Sequence, residues 1–355
     1  MKRITVLSML LLVSLSLILN ACKKEDTDTH AKVSFDNSVF IINEGPFQAG
    51  SGSLSIYKRD TDEVIHNVFE NVNGFPLGNL AQSIHLYNDK AYIVVNNANK
   101  IEVANKDDLV SLGRIDDVNL PRYFLGINNT KAYASSWDNK VYVIDLNTNS
   151  VSGSIPTATG PEKMMLVGEN VWVLNQGGFG LDSTITIINS TNDEVLQTLV
   201  VGDKPTGIVL DKDGMVWVMC SGNGWNSLRS LDDTKAELVC IHPQNYSIIK
   251  KIYFPESDAH PEKLVIDNDG ETVYYNYPGG LYAQDLNKET LELRVVLTSE
   301  AMYYGLGYDT VSGNLFVTDP LDYVQNGKVY IINPLGEEIL KSFDAGVIPA
   351  EFYFN

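Results

Sequence analysis

Cysteine is scarce in this chain, with three in 355 residues at positions 22, 220 and 240, and none has a metal-ligating partner at useful spacing. Histidine is almost as rare. His30, His66, His85, His242 and His260 are scattered, with no HExxH spacing and no Ser/His/Asp order, and a glycine-rich phosphate loop is missing as well. Nothing here demands an enzyme, and the chain is expected not to be one. Positive charge is short: 26 Lys and Arg face 45 Asp and Glu, for a net charge of −19. Such a surface repels phosphate backbones, which excludes nucleic acid as a partner. Long helical periodicity is nearly absent, while 27 Gly and 10% aromatic residues favour an all-β chain.

A membrane-length apolar run is also lacking. The run Val6 to Leu19 falls below the ~20 residues a bilayer core requires. With Lys2 and Arg3 before it and Leu19-Asn20-Ala21-Cys22 after it, it reads as a secretory signal over residues 1–21. Cys22 at the cut resembles a bacterial lipobox, in which the thiol is diacylated and anchors the mature chain to a membrane. Lys23-Lys24-Glu25-Asp26-Thr27-Asp28 then opens a solvated tether over residues 22–33. That stretch is similar to the export signal that sends lipoproteins of Bacteroidota to the outer face of the outer membrane.

What the chain does have is repetition. "PEKMMLVGENVWVLNQ" at Pro161 is echoed by "PEKLVIDNDGETVYYN" at Pro261. Related corners precede apolar strands at Leu80, Pro121, Pro205, Tyr303 and Pro349, separated by 40 to 46 residues, with one longer interval of 56. Self-similarity at that period marks four-stranded propeller blades. The expected fold over 34–355 is therefore an all-β, seven-bladed β-propeller. Val39–Ile42 begins where a second strand belongs, so the first blade is completed by the C-terminal strand "PAEFYFN", which closes the ring.

Two tempting motifs fail. Asp211-Lys212-Asp213-Gly214 and Asp267-Asn268-Asp269-Gly270 open like calcium loops, but position twelve is Gly222 or Pro278 rather than a bidentate Glu. They are turns. Cys220 and Cys240 flank an insertion, Ser221–Glu237. If their runs are neighbouring antiparallel strands, a cross-strand disulfide would staple the insertion's base, and two buried thiols are the other reading.

In a propeller the loops after second and fourth strands emerge on one side. There the second-to-third loops offer Phe47, Trp137, Phe179, Trp225, Tyr277 and Tyr323, and the fourth-to-first loops add Phe75, Tyr123, Tyr303 and Tyr304. Asn43, Asn96, Asn97, Asn175, Gln176, Asn223, Asn226 and Asn276 lie between them. This reads as a ligand platform, with some rings folding down as plugs instead. A second ring follows the corners: Arg122, Glu162, Lys163, Lys204, Glu262, Lys263 and Glu351. It is expected to line the channel mouth as a solvated rim, as hydrogen-bonding partners for a polar ligand, or as a carboxylate cage for a metal. His260 sits at the same entrance.

Asn43-Glu44-Gly45, Gly52-Ser53-Leu54-Ser55-Ile56-Tyr57, Asn73-Gly74, Leu77-Gly78, Gln82-Ser83 and Ala91–Asn97 with Lys100–Val103 carry a family likeness. They resemble the surface-layer, YncE-like propeller lipoproteins of Bacteroidota, over essentially the whole mature chain. One class of these, the BtuG proteins, captures cobalamin at the cell surface and passes it to a TonB-dependent BtuB transporter. The resemblance implies a corrinoid as transported ligand rather than catalytic cofactor, but carries over no contact residues, because the family's loops vary most where ligands bind. The candidate contacts come from the loop face and the channel mouth: Phe47, Phe75, Asn97, Arg122, Trp137, Lys163, Gln176, Phe179, Trp225, His260, Lys263, Tyr277, Tyr304 and Tyr323, with His260 as a possible cobalt ligand. The competing readings are a propeller hydrolase or lactonase with a metal held by Glu162, Glu262 and Glu351, and a protein- or glycan-binding module of an uptake complex.

Overall fold

The middle strands are buried on both sides, so their sequences read as near-continuous apolar runs such as "KAYIVV" and "NVWVLN". Alternation then sends successive side chains to different neighbours. Tyr92 and Val94 pack toward one adjoining sheet, and Ala91, Ile93 and Val95 toward the other. Repeated around the chain, this produces a propeller in the computed structural model, which describes residues 34–47, 49–225, 230–299 and 303–355. Among these residues, 28 strands form seven four-stranded antiparallel sheets. Seven apolar clusters fill the seams, each drawn from two neighbouring blades. Residues 35–355 form one compact unit. The signal segment, the tether and Cys22 lie outside the described residues.

Strands are numbered β1–β28 in chain order. The innermost strands are β28 (Pro349–Phe354), β4 (Ala81–Tyr87), β8 (Pro121–Asn128), β12 (Pro161–Val167), β16 (Pro205–Leu210), β20 (Glu262–Ile266) and β24 (Leu306–Asp309). Ring closure follows the sequence expectation. β28 pairs antiparallel with β1 (Ser38–Asn43), which pairs with β2 (Ser53–Lys58) and then β3 (Glu63–Ile65). β3 is short, and a helix, α1 (Val68–Asn73), packs Val68 and Phe69 into the seam beside it. The two Asp-x-Asp-Gly motifs are hairpin turns, with Gly214 and Gly270 at φ +75° and +68°. Among the described residues no helix is long and apolar enough to cross a membrane.

The disulfide reading is corrected. β17 (Val216–Cys220) and β18 (Glu237–Ile241) are antiparallel neighbours, but the register sets Cys240 opposite Trp217 and Cys220 opposite Glu237. An odd offset places the two sulfurs on opposite faces of the sheet. Cys220 packs toward the fourth blade and Cys240 toward the sixth, and both are free. Burial pushes both thiols up, Cys240 to about 11, which leaves neither reactive at neutral pH.

The His85 ring in β4 bridges two seams, 6.1 Å from the ring of Phe124 and 5.9 Å from that of Tyr353. Burial pushes it down to about 4. Its unfolded value is ~6.5, so above that pH it contributes nothing; as pH falls toward 4, only the unfolded chain takes up the proton. Stability should therefore drop by about 2 kcal/mol between pH 7 and 5 from this group alone. Urea midpoints at both pH values check this. His85→Leu should remove that part of the slope, and an unchanged slope would refute the assignment.

Candidate functional site

Six of the seven inner strands carry a one-residue bulge at their first turn, the exception being β24. A bulge breaks the alternation of the strand and re-aims a side chain. In β4, β8, β12, β16 and β20 it turns the residues just after the corner toward the axis. They line a cavity of about 140 Å3 at the channel mouth, walled by Gln82, Arg122, Tyr123, Glu162, Lys163, Thr206, Glu262 and Lys263, with Glu44, Gln176 and Tyr304 from adjoining loops. Each corner lies beside the end of its second strand: Pro121 opposite Ser136, Pro161 opposite Asn175, Pro205 opposite Cys220. The mouth and the second-to-third loops therefore share one side.

The charges at the mouth are interlocked. Arg122 Nε donates to Glu162 Oε1 at 3.0 Å, and Trp137 Nε1 donates to the same oxygen at 2.7 Å. The guanidinium lies 4.0 Å over the indole, Gly178 lies against that ring, and Phe179 meets it edge-on at 4.8 Å. Lys163 Nζ is 3.3 Å and Lys263 Nζ 3.9 Å from the two oxygens of Glu351. Tyr304 donates its hydroxyl to Glu44, 3.1 Å from both oxygens. Burial raises the Glu44 carboxyl against the opposing pull of Lys263 and Tyr304. Burial also drives the phenols of Tyr123 and Tyr304 well above their ordinary range, with Glu351 adding to the first and Glu44 to the second. Glu162 and Glu351 are thus bound to cations, and among the described residues no group of three His, Cys, Asp or Glu is arranged to hold a metal ion.

The expected platform divides. Phe179, Trp225 and Phe47 are exposed at 90%, 76% and 65% of their surface, with Phe75 and Tyr323 near 40%. Lys204, expected at the mouth, lies 6.0 Å from the Trp225 ring instead. Trp137 is a plug, held by Arg122, Gly178 and Glu162. Tyr277 packs with Phe254 and Tyr282 in the seam between the fifth and sixth blades, at 5.4 and 5.3 Å, so it is a core ring rather than a platform ring. His260 is buried with Nδ1 2.8 Å from the Ser221 carbonyl, and is not displayed as a cobalt ligand.

The amides need a similar correction. Asn43, Asn96, Asn175 and Asn276 lie at or within one residue of the ends of second strands and are buried. Asn96 and Asn276 donate to the carbonyls of Pro121 and Tyr303 in the next corner, while Asn43 and Asn175 bond serine and threonine hydroxyls of their own blade. They pin loops. Asn97 is exposed but donates to Asn79 Oδ1 at 2.8 Å, and Asn226 lies outside the described residues. Among the described residues of that group, Gln176 alone reaches the mouth. Glu44, Gln82 and Thr206 were not expected there. Gln82 and Thr206 hold the same corner position as Arg122 and Glu162, a signal that alignment of the repeats contains.

A family model described as a domain of unknown function, DUF5074, matches residues 37–321. No curated protein matches the chain. Among solved structures it is similar to a quinonprotein alcohol dehydrogenase-like protein from Bacteroides thetaiotaomicron, with 15% identity and a TM-score of 0.67 over 90% of this chain and 79% of that one. A functionally unknown protein from Desulfotomaculum acetoxidans gives 11% identity and a TM-score of 0.67 over 90% and 98%. The hydrazine synthase of Kuenenia stuttgartiensis gives 11% and 0.57 over 74% and 85%. At these identities the likeness shows the fold alone.

Proposed function

The chain belongs to that DUF5074 family, and from this premise we propose that it is a capture protein, binding a small nutrient on its loop face without turning it over. The observation that carries the reading is the ring of six bulges. Five of them turn guanidinium, ammonium, carboxylate, hydroxyl and amide groups into one cavity, below loops that expose Phe47, Phe179 and Trp225. The lead ligand is cobalamin or a related corrinoid, by likeness to BtuG. The proposed setting is the outer membrane surface, with a lipid on Cys22 and delivery to a TonB-dependent, BtuB-like transporter.

Magnitude constrains the pose. Ligand pockets for drug-sized molecules run to roughly 300–1,000 Å3, and the mouth holds about 140 Å3. A corrinoid would lie across the face on the exposed rings, with only a peripheral group entering the mouth. A rigid ring of blades pre-orders that surface, which lowers the cost of binding. Titrating the purified mature chain with cyanocobalamin should show saturable binding at micromolar or lower concentration, weakened about tenfold or more in Phe179→Ala and Trp225→Ala. No binding at micromolar levels removes this ligand. The same three exposed rings also suit anchoring to a protein partner. Co-purification of an outer-membrane barrel that survives their replacement by Ala would argue against anchoring through these rings.

A further inference from the structure

We infer that the channel mouth is a receptor for an oxyanion, a carboxylate or phosphate group carried on the ligand and held by Arg122, Lys163 and Lys263. This deepens the capture reading and rests on it.

The argument is a census of donors and acceptors. Arg122 uses Nε on Glu162, and its two terminal nitrogens make no hydrogen bond to protein among the described residues. Lys163 reaches Glu351 at 3.3 Å, and Lys263 stands 3.9 Å from the other oxygen, beyond hydrogen-bond length. Of the carboxylates, Glu162 Oε1 takes two donors and Glu44 takes the Tyr304 hydroxyl on both oxygens, while Glu262 lines the cavity beside Lys263 and Arg122 is paired with Glu162 instead. What stands open on Arg122 and Lys263 is N–H donors, and an oxyanion fills them through charge-assisted bonds.

Backbone geometry is independent of that count. Five corners enter the inner strand through a left-handed residue just before it: Ile348, Leu80, Leu120, Gly160 and Lys204. In the sixth blade the left-handed residue is Lys263 itself, at φ +57°, inside the strand and lining the cavity. A lysine held in a sparsely populated conformation at a cavity wall is a pointer to binding. The glutamates nearby offset the cations, so a free ion should bind weakly, and a ligand that also covers the exposed rings should bind tightly.

The test titrates the full mature chain by calorimetry at low salt with three probes: succinate, inorganic phosphate and uncharged succinamide. Saturable binding of succinate or phosphate, lost about tenfold or more in Lys163→Gln/Lys263→Gln and absent for succinamide, is the expected result. Whichever anion binds identifies the group as carboxylate or phosphate. Wild-type protein supplies a second measurement in case the double variant fails to fold, because added salt should weaken the anion only. Equal binding of succinate and succinamide, an unaffected folded variant, or no saturation with either anion overturns the inference. Cyanocobalamin is titrated alongside. Failure of the anions with corrinoid bound sinks this inference alone, and failure of the corrinoid with anions bound sinks only that ligand.

Discussion

Arg59→Ala should lower the unfolding free energy by about 3–5 kcal/mol. The ring is continuous except at one join, where β28 meets β1 without a covalent link. Arg59 follows β2 and spans that join. Its Nε and Nη2 donate to both oxygens of Asp309 in the seventh blade at 2.9 and 2.8 Å, and Nη1 donates to the carbonyl of Asn355 at 2.9 Å. Asp309 is fully buried. Burial pulls its carboxyl upward, but the bonds from Arg59 and Ser312 prevail and hold it below the usual range. Removing the guanidinium strands a carboxylate in the interior, which costs far more than the pair contributes. Arg59→Met with Asp309→Leu should recover most of the loss, because no charge is then left alone. Because the folded value is depressed, the stabilisation from Asp309 is present above its unfolded value of ~3.9 and is lost as pH falls below it. Urea unfolding of the two variants beside the unsubstituted chain decides the matter, and a loss under about 1 kcal/mol in Arg59→Ala would sink the account.

The seven blades are legible in the sequence because each repeats a corner, an apolar run and an Asn- or Gly-bearing turn, and because the fragment starting at Val39 has its missing strand at Pro349. The cations of the mouth, with Glu162 and Glu262, are legible for the same reason: they follow the corners, whereas Glu44 enters from the loop after β1 and is not. Depth within the loops is not. Asn96 and Asn97 are chemically identical neighbours, yet the first pins the Pro121 corner from inside and the second sits at the surface. Which one faces inward depends on where the strand ends, a matter of one residue. The same limit explains Cys220 and Cys240, whose runs pair as expected but whose register places the sulfurs back to back. Bulges shift register by one residue and carry no composition signal of their own. Hence Gln82 and Thr206 escape a reading that looks only for charge, and His260 and Tyr277 pass for displayed groups.

Gly160→Ala should cost about 2–5 kcal/mol and dismantle the mouth, whereas Gly168→Ala, a glycine of nearly the same conformation, should cost only about 1–2. Gly160 has φ +60° and Gly168 +62°, so strain in the left-handed region is common to both. That strain alone does not require glycine, since Leu80, Leu120 and Ile348 adopt it at equivalent corners. The difference is what a methyl would meet. At Gly168 there is nothing within 4 Å, and at Gly160 it would stand on the backbone of Gly177 and Gly178, which cannot rotate away. The loop there is tied down by Gln176 N to Gly160 O at 3.0 Å and Gly177 N to Thr159 O at 2.9 Å. Displacing it withdraws Gln176 from the cavity and lifts Gly178 and Phe179 off Trp137, freeing the indole that Glu162 anchors. Two readouts follow from one variant: a drop in the urea midpoint and a changed Trp emission as the indole gains solvent. Matching midpoints and unchanged emission in the two alanine variants would mean that the close approach of these backbones does not hold the loop, and that the mouth is organised by its charges alone.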